Sequence, residues 1–150
     1  MPARLSRLAV ALCLPFALAA CSLEELVSAS LEGWNLVIVS FNPVDSSGIT
    51  GIGNGEYNDG ERDFPFEATF TPTVVGQQYV AHIHTGSCTA IGPLVRALPA
   101  VTGQPAMIGG TPTATVRVGL PTSYWKAAYV MDLHVTVAGV ERRVACGSFA

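Results

Sequence analysis

Several common functional signatures are missing from this 150-residue chain. It has no basic patch, and its formal charge is −3, which argues against a nucleic-acid partner. There is no G-x-S-x-G elbow and no H-E-x-x-H. The glycines of Gly51–Gly55 are followed by neither the lysine nor the helix that a phosphate-cradling loop needs. No segment carries a long 3.6-residue period, and no internal repeat is visible. The uncharged apolar run Leu8–Ala20 holds thirteen residues, too few to cross a ~30 Å hydrocarbon core as a helix. Histidine is scarce: three in all, with none between His84 and His134.

What is present begins with the N-terminus. Arg4 and Arg7 precede the apolar run, which ends in small residues, the pattern of a signal peptide. Leu18-Ala19-Ala20-Cys21 resembles a bacterial lipobox, which implies cleavage after residue 20 and lipid on Cys21. The expected product is exported and held in the bacterial cell envelope, its membrane contact made through that lipid. Residues 21–33 then read as a tether and 34–150 as one domain. Removal of the signal takes two arginines and no acid. The side chains that remain are six basic against eleven acidic, a net of −5 with histidine neutral. Cys13 leaves with the signal and Cys21 takes the lipid, so Cys88 and Cys146 are the pair left for an oxidising compartment. Their bond would close 59 residues and be worth roughly 4 kcal/mol in the chain-entropy picture.

From Trp34 onward the chain reads as strands and turns. Trp34–Phe41 is rich in β-formers, and Ile49–Asp59, studded with glycine, suggests a bent or bulged strand and its turn. Phe64–Thr71 alternates, with Phe64, Phe66, Ala68 and Phe70 on one side. Tyr79–His84, Thr113–Leu120, Ala127–Val137 and Glu141–Phe149 complete about seven strands. Thr89–Gly110, rich in proline, glycine and alanine, is expected to be an irregular connection. This pattern favours an all-β antiparallel sandwich or Greek-key barrel.

The histidines are the informative residues. His82 and His84 are two apart on one strand and share a face, opposite Tyr79, Ala81 and Ile83. His134 belongs to another strand, where Asp132, His134 and Thr136 oppose Met131, Leu133, Val135 and Val137. Converging imidazoles from two strands could hold copper, zinc, iron or nickel. Otherwise they are half-exposed polar residues on unrelated strands. The carboxylates Glu56, Asp59, Glu61 and Asp63 gather around one hairpin and are expected to form a solvated loop rather than a Ca²⁺ site.

The segment Tyr79-Val80-Ala81-His82-Ile83-His84 with Gly86 and Cys88 resembles the copper-binding strand of Cu/Zn superoxide dismutases. Leu133-His134-Val135 is similar to the segment bearing another copper histidine of that family. Arg143-Val144-Ala145-Cys146-Gly147 resembles its arginine and half-cystine motif. The resemblance implies a superoxide dismutase-like sandwich in which His82, His84 and His134 bind copper. It also implies that Cys88 pairs with Cys146 and that Arg143 guides an anionic substrate. The family's bridging histidine and zinc ligands have no counterpart here, so no zinc site is expected. Three nitrogens suit Cu(I), whereas Cu(II) wants a further donor: a water, Asp132 or Met107. His82-Ile83-His84-Thr85-Gly86 followed by Gly92-Pro93-Leu94-Val95 also resembles the chordin-type (CHRD) domain. That likeness implies a non-catalytic envelope module without metal.

Overall fold

Alternation sets the inside and outside of this protein. In the computed structural model, which describes residues 33–106 and 109–149, Phe64, Phe66, Ala68 and Phe70 are all buried and the residues between them are not. The segments expected to be a signal peptide and, up to residue 32, a tether, with Cys21, lie, like Met107, outside the described residues. Nine strands follow one another: β1 Trp34–Pro43, β2 Thr50–Asn58, β3 Asp63–Thr71, β4 Gln78–Ser87, β5 Ala90–Ala97, β6 Val101–Thr102, β7 Ala114–Pro121, β8 Tyr129–Val137 and β9 Val140–Ser148. The described residues contain no α-helix, only a 3-10 turn at Thr122–Lys126.

All pairings are antiparallel, in the order β5-β4-β8-β9-β1-β2-β3-β7, with β6 also on β4. β1 pairs with β2 along its length but meets β9 only at Asn42 and Pro43. The sheet is therefore curled into two halves joined at that corner. The chain passes between the halves at β3–β4, β6–β7 and β7–β8, a Greek-key type of connectivity. The all-β antiparallel expectation holds. Between the halves lie Val37, Val39, Phe41, Phe64, Phe66, Phe70, Tyr79, Ile83, Leu120, Met131, Leu133 and Phe149, each at most 2 % exposed.

Two expectations need correction. The glycine-studded strand is not bulged: β2 keeps an unbroken register with both β1 and β3. Its glycines make room instead. A Cβ at Gly53 would sit 2.3 Å from the Phe66 ring, and one at Gly55 would sit 2.7 Å from Phe64. Three phenylalanines on β3 thus occupy the space that side chains on β2 would have taken. The supposed irregular connection also holds two strands, β5 and β6. β5 is an edge strand with no buried residue, so no alternation marks it. Pro93 is tolerated there because an edge strand has N–H groups that need no partner.

Candidate metal centre

The site is assembled by the register of β4, β8 and β9. His82 lies opposite Asp132, and His134 lies opposite Val80. Opposed residues share a face. His82, His84, Asp132 and His134 therefore occupy the side of this half turned away from the core, while Ala81, Ile83, Met131 and Leu133 fill the core side. The three histidines are brought together as expected. His82 and His134 have ring centres 4.7 Å apart, and His82 and His84 6.0 Å apart. Asp132 joins them, its Oδ1 lying 3.0 Å from His134 Nε2 and 3.7 Å from His84 Nε2. The four residues each offer one ligand atom, and those atoms all lie within 4.8 Å of one another.

The electrostatics of this group point to a cation. Asp132 is 1 % exposed, and a buried carboxylate is costly unless something positive or a hydrogen bond offsets it. Yet its Oδ1 has no hydrogen-bond partner, and neither has His84 Nε2 or His134 Nε2. Although His134 Nε2 approaches that oxygen to 3.0 Å, the contact lacks hydrogen-bond alignment. Three buried atoms close to one another and without hydrogen-bond partners would each cost about 1–3 kcal/mol if nothing joined them. Their donor chemistry, imidazole nitrogen with one carboxylate oxygen, is that of a metal site. Two ligands on one ion with bonds near 2.0–2.1 Å stand at most about 4.2 Å apart, so atoms as far apart as 4.8 Å would have to close by at least about half an ångström. The cluster can hold a metal ion.

Acceptor oxygens also lie near the outer nitrogens of the rings, one of them in a hydrogen bond. His84 Nδ1 is 3.0 Å from the Gly92 carbonyl oxygen, which β5 brings against β4. His134 Nδ1 is 3.1 Å from Glu141 Oε1 on β9, and His82 Nδ1 is 3.7 Å from the same oxygen. Burial first, then neighbouring His134, pushes the His82 pKa below the ordinary imidazole value, with Glu141 and Asp132 opposing.

Cys88 and Cys146 are disulfide-bonded, with their Cα atoms 5.8 Å apart. The bond ties the end of β4 to β9 across the intervening β8, and Cys146 is the residue opposite Asp132. Arg143 lies opposite His134, and its Nη1 donates to the Cys88 carbonyl oxygen at 3.4 Å. The hairpin acids stay apart from this centre: Glu56, Asp59, Glu61 and Asp63 are exposed. Glu61 accepts from the Asn58 backbone N–H, and Asp59 accepts from the Asn35 amide. Comparison of the chain with protein-family models, curated proteins and solved structures finds no match. What defines the protein is therefore its own arrangement, an antiparallel curled sheet carrying a His/Asp cluster on one outer face.

Proposed function

We propose that this chain is a lipid-anchored envelope protein that holds one copper ion through His82, His84, His134 and Asp132. The observation carrying the reading is the convergence of Asp132 Oδ1, His84 Nε2 and His134 Nε2, buried and without hydrogen-bond partners. Copper is favoured among the metals that imidazole suits because Cu(II) binds a given nitrogen and oxygen site most tightly of the divalent first-row ions. Three nitrogens alone would suit Cu(I), and the Asp132 carboxylate supplies the fourth donor that Cu(II) needs. It also brings a negative charge into a buried place, which a divalent ion offsets. Copper there would supply one-electron redox chemistry. Arg143 on the same face, held by the Cys88 carbonyl, makes superoxide the anion to try as substrate. The resemblance to superoxide dismutases supports this choice, and the lipobox supports the anchor.

The test is copper and zinc analysis of the purified chain, before and after loading. One copper per chain is expected, no second zinc site, and a sharp loss of binding in each of His82→Ala, His84→Ala and His134→Ala. Copper uptake that these three substitutions leave unchanged would refute the site. A chain that takes up no metal would leave the chordin-type binding module as the reading.

A further inference from the structure

Glu141 is not among the four ligand donors, yet it touches two of their rings. A neutral imidazole carries a single N–H, and the partner of one nitrogen decides which nitrogen stays free to bind a metal. His134 Nε2 is buried among the other donors, while its Nδ1 lies 3.1 Å from Glu141 Oε1. The same oxygen is 3.7 Å from His82 Nδ1. His84 Nδ1 has a backbone hydrogen-bond partner, the Gly92 carbonyl at 3.0 Å, whereas Glu141 meets its two rings at ion-pair distance. We propose that Glu141 is the positioning carboxylate of this site: it keeps the His134 proton on Nδ1 and steadies His82 and His134 together, so that the His134 Nε2 lone pair faces the ion. The inference rests on the metal-binding reading above.

The fold goes out of its way to put Glu141 there. Ala145 of β9 is in the core, and strict alternation from it would turn Arg143 and Glu141 inward as well. Instead the register slips by one residue between Leu133 and His134. Leu133 lies opposite Ala145, but His134 lies opposite Arg143, with Val144 as the extra residue. A bulge of this kind reverses which face the following residues present. Beyond it, Glu141 falls opposite Thr136, on the face of His134 and Asp132. The Glu141 side chain is 50 % exposed, so its replacement opens no core and should leave the protein folded. Carboxylate partners of this sort orient a ligand and raise its basicity, and losing one typically costs 10–100-fold in metal affinity.

The test uses the purified full chain as wild type, Glu141→Ala and Glu141→Gln, with two measurements. Competition against a chelator gives the Cu(II) affinity. Long-range ¹H–¹⁵N NMR of the metal-free protein at pH 8 shows which ring nitrogen of His134 carries the proton. Wild type should show the proton on Nδ1, and Glu141→Ala should show it shifting toward Nε2 with a roughly 10–100-fold loss of copper affinity. Glu141→Gln, which keeps a side-chain oxygen acceptor, should recover most of both. Copper affinity within about twofold of wild type in Glu141→Ala would overturn the role, as would a wild-type His134 protonated on Nε2. A wild-type chain that takes up neither copper nor zinc would overturn the metal reading and this role with it. The NMR result would then still separate a real Glu141–His134 pair from a chance contact.

Discussion

Replacing Asp132 with asparagine should move stability and metal affinity in opposite directions. In the metal-free protein the Asp132 carboxylate is buried, and its Oδ1 faces two histidine nitrogens without a hydrogen bond. Asparagine has nearly the same shape, so packing against Cys146 and His82 across the ladders is kept. It removes the buried charge and brings an NH₂ that can donate to an Nε2 lone pair. Relieving one unsatisfied buried polar group is worth about 1–3 kcal/mol. For a domain of this size that is a rise in melting temperature of roughly 3–6 °C per kcal/mol. Copper binding should weaken by more than the 10–100-fold typical of outer partners, because a direct donor is lost. The two effects are read by thermal melts with chelator and with added Cu(II), alongside competition titration. Wild type should gain stability with copper by mass action, and Asp132→Asn should gain much less at the same copper concentration. If Asp132→Asn melts lower than wild type in chelator and binds copper as well, Asp132 is a structural residue and the ligand argument fails.

The other predictions concern the scaffold, the compartment and the surroundings of the ion. Neither Cys88 nor Cys146 should react with a thiol reagent in the native protein, and reduction should cost on the order of 4 kcal/mol, a large part of a ~5–15 kcal/mol stability. A melting temperature unchanged by reduction would contradict that. Cys21→Ala should stay unprocessed or leave the membrane fraction, and unaltered processing and retention would refute the lipid anchor. Because the folded protein holds the His82 pKa below 6.5, the unfolded chain takes up a proton there that the folded chain refuses. Stability of the metal-free protein should accordingly be full above pH 6.5 and decline as pH falls below it. Urea midpoints at stepped pH would show this, and His82→Gln should flatten part of the decline. Arg143→Ala should bind copper within about threefold of wild type, since the guanidinium contacts the Cys88 carbonyl; any superoxide consumption by the loaded protein should fall.

How far the sequence could be read depended on whether a residue's face follows from its neighbours alone. β3 announces itself because every second residue is buried against the core, and β4 places His82 and His84 together for the same reason. The cysteine pairing needed only counting. β5 was hidden because an edge strand without a buried residue has no alternation to show. Asp132 was visible as a carboxylate two residues before His134, but its nearness to His84 depends on β4–β8 register, which no local pattern states. Glu141 was hidden more thoroughly. Its face is set by the extra residue at Val144, and a bulge leaves no mark in the spacing of apolar residues when the residues beside it are Arg142 and Arg143. The functional weight of the site thus rests on pairing. Slipping β8 by one residue against β4 would send Asp132 to the core side and bring Leu133 opposite His82. His134, two residues along the same strand, would turn inward with it, leaving His82 and His84 without either donor from β8. The disulfide from beyond β4 to the residue facing Asp132 crosses the sheet at that point, so the covalent bond and the ligand set depend on the same alignment.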